Sequence, residues 1–262
     1  MYDNNEIAMA IEDARRRATT LQPFTEQDPL LTLEDAYDVM QRASVARSIA
    51  TGARPVGRKI GFTNSGIWER YGVYAPIWGW MYDDSLVLCE GGSGSIAADT
   101  LCQPRVEPEI VFRLSADVPA GAGTEQVAAS VEWVAFGFEV VQCHFPDWGL
   151  TAVDAVIDGS LHAASLVGAR LAPWPTMIED LEGFSLRLLR DGAVIDSGRG
   201  SNVLGNPLNA IAHLAATTDI PLHAGETITT GTVTDAARVV AGETYTVEID
   251  GLPLERLTVT FT

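Results

Sequence analysis

Apolar positions recur at helical spacing through the first fifty residues. Ile7, Ala10, Ile11 and Ala14 share one face, and Ala36, Val39, Met40 and Ala43 share another. Thr32, with Asp35 three residues on, predicts a capping-box start for the second of these helices, and Gly52 is placed to end it. After Pro55 the pattern changes to β-type runs punctuated by glycine and proline, at residues 56–62, 105–114, 135–142 and 164–167. Asp191-Gly192 and Asp250-Gly251 are flanked by alternating residues (Phe184, Leu186, Leu188; Tyr245, Val247, Ile249), which predicts two hairpins. One helix interrupts this region over residues 207–216, with Pro207 suited to its first turn. No repeat or low-complexity linker divides the chain. The expectation is an α+β fold, with a helical N-terminal lobe (residues 1–54) joined to a β-rich catalytic core (residues 55–262) as one integrated unit.

With 262 residues, 47% of them hydrophobic, the chain can bury a large core. Its 17 basic and 35 acidic residues give a formal charge of -18. Such a surface repels phosphate backbones, which argues against a nucleic-acid partner. An anionic substrate is still possible if local cations or a metal reverse the field inside a pocket. The three cysteines, Cys89, Cys102 and Cys143, cannot all pair and lack metal-ligand spacing, so they read as reduced core thiols. The start of the chain (Asn4, Asn5, Glu6) lacks the order of a signal peptide, and no apolar run approaches a membrane span. A cytoplasmic location is expected.

The segment from Arg105 to Phe112 carries the most chemistry. In an extended strand Glu107 and Glu109 point the same way, while Val106, Ile110 and Phe112 point oppositely into a core. A hard divalent cation removes the cost of two adjacent carboxylates. Glu139 lies in another apolar run, Ala135 to Val141, where a charge needs a partner. Three oxygen ligands with open positions suit Mg²⁺. The spacing alone also allows a solvated edge strand, to which Pro108 would be suited. Lys59, in Gly57-Arg58-Lys59-Ile60-Gly61-Phe62-Thr63-Asn64, reads either as an exposed strand charge or as a cation meeting a substrate carboxylate or enolate.

These segments resemble those of a known family. Lys59-Ile60-Gly61-Phe62-Thr63-Asn64 is similar to the Lys-Ile-Gly-Leu-Thr-Ser motif of 2-keto-4-pentenoate hydratases, in the fumarylacetoacetase superfamily. Arg105 to Ile110 resembles their metal-binding strand, and Phe138-Glu139-Val140-Val141 the strand of the third ligand. The likeness continues through Asp147-Trp148, residues 153–158, Ala224 to Thr227 and Thr230 to Thr234, in matching order from about residue 35 to the end. The resemblance implies a mixed β-roll core, Mg²⁺ or Mn²⁺ as cofactor, and a homo-oligomer. It makes Glu107, Glu109 and Glu139 the metal ligands and Lys59 the pocket cation, with Thr230, Gly231 and Thr232 near the bound acid. A 2-hydroxy-dienoic or 2-oxo acid chelated at such a metal could place negative charge on its 2-oxygen.

Two departures bear on the reaction. Typical hydratases carry an acidic residue where Ile77 stands, and Ile77-Trp78, placed at the substrate, looks closer to the related 4-oxalocrotonate decarboxylases. Asp158-Gly159-Ser160-Leu161-His162 also differs from the usual Asp-Asn pattern. It suggests His162, or nearby His144, as an acid/base and Asp158 as its orienter. The leading expectation is a metal-dependent lyase hydrating a 2-hydroxypenta-2,4-dienoate-like compound in aromatic catabolism. The alternatives are decarboxylation of a 2-oxo-hexenedioate, hydrolysis of an acylpyruvate, and a non-catalytic helper subunit.

Overall fold

The computed structural model describes residues 3–71 and 73–262. Three helices come first: α1 (Asn4–Arg17), α2 (Phe24–Gln27) and α3 (Leu33–Thr51). Thr32 and Asp35 close the expected capping box on α3, satisfying N–H groups that a helix start leaves unpaired, and Gly52 ends the helix at φ 80°. The rest of the chain is mainly strand, beginning with β1 (Pro55–Gly61), α4 (Trp68–Tyr71), β2 (Ile77–Tyr82), β3 (Leu86–Leu88) and β4 (Ser93–Ile96). There follow β5 (Arg105–Leu114), α5 (Thr124–Ala129), β6 (Val131–Val141), α6 (Ala152–Ile157), β7 (His162–Leu171) and α7 (Met177–Gly183). The last elements are β8 (Ser185–Arg190), β9 (Ala193–Arg199), α8 (Pro207–Thr217), β10 (Thr227–Thr229), β11 (Ala237–Arg238), β12 (Thr244–Asp250) and β13 (Thr258–Phe261).

Among the described residues the strands form two mixed sheets. The first runs β2-β1-β10-β5-β6-β7-β3, with β11 also on β5; the second runs β4-β13-β12-β8-β9. One apolar cluster joins them, taking Phe112 and Phe138 from the first, Leu186 and Tyr245 from the second, and Ile7 and Val39 from the N-terminal helices. The α+β class and the β-roll type of core agree with the expectation. The three cysteines are buried and unpaired. No helix among the described residues is long and apolar enough to cross a membrane.

Three local expectations need correction. Short helices α5, α6 and α7 accompany α8; their six or seven residues are too few to establish a helical period. Asp191 and Gly192 do form a two-residue hairpin, both at positive φ. Asp250-Gly251 does not: Pro253, which has no N–H to give a ladder, follows at once, and pairing with β13 resumes only at Thr258. Finally, Pro108 lies in an interior strand. β6 pairs with β5 along its length, while the other side of β5 is shared by β10, opposite Val111 to Arg113, and β11, opposite Arg105 and Val106. Pro108 falls between them, where the chain leaves the ladder after β10, so its missing N–H costs no sheet bond. That interruption opens the sheet beside Glu107 and Glu109.

Candidate functional site

The β5–β6 register places Glu107 directly opposite Glu139, and Glu109 opposite Gly137. Carboxylate oxygens of Glu107, Glu109 and Glu139 lie within 4.8 Å of one another. Like charges facing across a ladder destabilise it. Water gives little relief here, since Glu109 and Glu139 are 0% and 1% exposed. Burial therefore pushes Glu107 up to about 7 against the pull of Lys59, with Glu139 adding to the rise. Burial and the two neighbouring carboxylates push Glu109 well above the ordinary range. Burial acts on Glu139 as well, but Lys59 and His162 outweigh it and hold this carboxyl below its usual value.

The oxygens not otherwise engaged suit a cation. Glu109 Oε2 accepts the Gly231 N–H at 2.8 Å, whereas its Oε1 is buried without a hydrogen-bond partner among the described residues. Glu139 Oε1 meets His162 Nδ1 at 2.9 Å; its Oε2 lies 3.2 Å from Lys59 Nζ but receives no directed hydrogen bond. A buried, unsatisfied all-oxygen set fits a hard divalent ion better than a soft one.

Lys59 sits on β1 between Thr229 of β10 and Gly79 of β2 and is 3% exposed. Burial works against its charge, but Glu139, Glu107 and Glu109 together raise its pKa, so it stays an ammonium. Lys59 and Glu107 share the wall of a cavity of about 210 Å³ with Ile77, Gly231 and Thr232. Gly231 has φ 95°, and a Cβ there would lie 1.9 Å from Thr63 Oγ1, so the position requires glycine.

Four other expected site residues lie off this wall. Trp78 packs between Tyr37 (ring centroids 5.5 Å apart) and Trp80 (5.1 Å), on the opposite side of β2 from Ile77. Thr230 is fully buried and donates to Ile110 O at 3.0 Å. Asp158 accepts from His144 N–H at 2.9 Å, meets His144 Nδ1 at 2.7 Å and pairs with Arg15 at 3.3 Å. His162 stands behind Glu139, with Ser85 Oγ 2.9 Å from its Nε2. Burial lowers the His162 pKa despite Glu139, so its neutral ring donates an Nδ1–H hydrogen bond to the carboxylate. The expected acid/base pair is thus committed to protein partners. The turn between them explains this: Gly159, Ser160 and Leu161 are all at positive φ, and it is Ser160 and Leu161 that reach the cavity.

The sequence assigns no site role to Thr63, Arg105, Trp148 and Ser160, which line the cavity. Thr63 is 2% exposed, and its hydroxyl has no hydrogen-bond partner among the described residues. Arg105 was within reach of strand periodicity, since it lies two residues before Glu107. Trp148 and Ser160 come from turns whose direction no local pattern discloses.

The chain also resembles known proteins in sequence and in fold. Residues 81–260 match the family model described as fumarylacetoacetate (FAA) hydrolase C-terminal. The chain is 34% identical over 244 residues to a 2-hydroxyhexa-2,4-dienoate hydratase of Comamonas testosteroni, covering 92% of this chain and 91% of that protein. It is 32% identical over 251 residues to a 2-keto-4-pentenoate hydratase of Paraburkholderia xenovorans (strain LB400), covering 94% and 91%. Among solved structures, the 4-oxalocrotonate decarboxylase from Pseudomonas putida G7, complexed with magnesium and adipate, superposes with a TM-score of 0.91 at 28% identity, over 99% of this chain and 97% of that one.

Proposed function

The chain belongs to the fumarylacetoacetate (FAA) hydrolase C-terminal family, and on that premise we propose that it is a metal-dependent lyase hydrating a 2-hydroxypenta-2,4-dienoate-like acid to a 4-hydroxy-2-oxo acid. The observation that carries this reading is the cluster of Glu107, Glu109 and Glu139, the last two buried, at a cavity that also presents a charged lysine. Mg²⁺ or Mn²⁺ held by these carboxylates would supply Lewis acidity to the 2-oxygen and carboxylate of the acid.

The chain's own groups have separate tasks. The ammonium of Lys59 stabilises negative charge growing on the 2-oxygen, in a site dry enough for that charge to be felt strongly. The Thr63 hydroxyl is free to donate to the acid's carboxylate. Ser160 already donates to Trp78 O, so towards a ligand it acts as an acceptor. Ile77, Phe62 and Leu161 form an apolar wall for the carbon tail. The reaction moves the 2-hydroxyl proton to the terminal carbon and then adds water at carbon 4. The proposed working form is a cytoplasmic homo-oligomer.

Decarboxylation of a 2-oxo-hexenedioate is the second reading. It is supported by the hydrocarbon side chain of Ile77 on the wall, where an acid would serve hydration, and by the superposition on the decarboxylase.

Product masses distinguish the readings. Mg²⁺-loaded and metal-stripped protein would be incubated with 2-hydroxypenta-2,4-dienoate and with 2-oxo-hex-3-enedioate. A Mg²⁺-dependent gain of one water supports the hydratase. Loss of CO₂ from the dioic acid alone supports the second reading, and no turnover of either contradicts both.

A further inference from the structure

The cavity wall carries a second cation. Arg105 and Glu107 are two residues apart on β5, so their side chains leave the same face roughly 7 Å apart along the strand, and both line the cavity. Lys59 is paired with Glu139 at the carboxylate cluster, where the acid's 2-oxo end is read to lie. Arg58, Arg15 and Arg113 are likewise engaged by carbonyls, carboxylates or hydroxyls. The half-buried Arg105 guanidinium makes no hydrogen bond or ion pair among the described residues. Its contact is with an aromatic face: its central carbon lies 3.9 Å from the ring centroid of Trp148.

The pose of Trp148 is built at some conformational cost. Asp147 and Trp148 are consecutive non-glycine residues at φ 56° and 60°, and Gln103, at φ 50°, braces them. The Gln103 amide donates to Cys143 O at 2.8 Å and Phe145 O at 2.7 Å, and its Oε1 accepts the Asp147 N–H at 2.9 Å. The Trp148 indole N–H donates to Gln103 O at 3.1 Å. A strained, four-bonded turn thus holds an indole under a cation at the cavity wall. A guanidinium stacked this way keeps its in-plane N–H groups free, and their fork matches a carboxylate. Asp235 also lines the cavity but forms no ion pair with Arg105.

We propose that Arg105, laid on Trp148, is a subsite for a second carboxylate on the acid, so that a dioic acid binds more tightly than a neutral-tailed acid of the same length, which would leave the subsite unused. The proposal rests on the reading that the acid's 2-oxo end lies at the carboxylate cluster, and it holds whether hydration or decarboxylation follows.

Titration calorimetry on the Mg²⁺-loaded full chain tests it with 2-oxoadipate and 2-oxohexanoate, which share the head and length and differ in the terminal carboxylate. Because both bind the same metal, their affinity ratio cancels any effect of Arg105 on the ion. The expected ratio is about tenfold or more in favour of 2-oxoadipate. It should fall to near one in Arg105→Met and be partly restored in Arg105→Lys, which keeps the charge but loses the fork. Melting curves confirm that the variants fold. Equal binding of the two acids by the unaltered chain, or an undiminished ratio in Arg105→Met, overturns the subsite alone. Failure of both acids to bind overturns the underlying placement of the 2-oxo end, and the subsite with it.

Discussion

Glu107 and Glu139 are direct partners across the β5–β6 ladder, with their carboxylates on the buried face. A ladder seldom sets two like charges opposite each other, because the repulsion adds to the cost of burial. Lys59 offsets one charge of the three. The remainder is what a divalent cation would neutralise, which would make such an ion a part of the fold's electrostatics as well as its chemistry.

That relationship sets a pH dependence. Glu107 titrates at about 7 in the metal-free fold against an ordinary 4.5. Below 4.5 both folded and unfolded chains carry the proton; between the two values only the folded chain does. The contribution is therefore present at low pH and is lost as pH rises through about 7. Bound metal requires the ionised form. Melting curves with and without Mg²⁺ should show the Mg²⁺-induced rise in Tm growing between about pH 5 and about pH 8. A rise that shrinks over this interval would contradict the assignment.

His162 holds Glu139, a proposed metal ligand, through a hydrogen bond. His162→Gln should weaken Mg²⁺ binding by about 10- to 100-fold through the loss of its hold on Glu139. At saturating metal the shape of the kcat pH profile should be retained. Loss of one limb of that profile would instead identify His162 as the proton carrier.

Asp158 holds the turn that shapes the cavity. Asp158→Asn leaves Arg15 and His144 without their buried carboxylate, and denaturant unfolding should show a loss of about 3–5 kcal/mol. A variant as stable as the unaltered chain, with kcat abolished, would return Asp158 to the chemistry.

Gly231→Ala tests the closeness of the wall. The methyl has no room beside Thr63, and the backbone is in the left-handed region, so the Glu109 contact with Gly231 N–H must shift. Weaker metal binding and a higher KM are expected; unchanged kinetics would mean that this segment lies away from the acid.

Much of this was legible in the sequence because it is local. Glu107 and Glu109 share a face by strand periodicity, and Thr32 with Asp35 marks the start of α3 through short-range hydrogen bonds. The resemblance joined Lys59 and Glu139 to the two glutamates, and the fold brings all four together. What depends on contacts distant in sequence was not legible. The pairing of Glu107 with Glu139, and the gap that accommodates Pro108, are set by which strands become neighbours. The inward turn of Ser160 and Leu161 depends on a run of left-handed residues that propensity does not foresee. Asp158 and His162 carry chemically able groups, but only the structure shows their partners.

The most direct test is calorimetric titration of metal-stripped protein with Mg²⁺ and Mn²⁺, in the unaltered chain and in Glu109→Gln and Glu139→Gln. The account predicts one site per chain, weakened by about 100-fold or more in either variant while both remain folded. Binding of unchanged strength in the folded variants would contradict the metal centre, and with it the lyase built upon it.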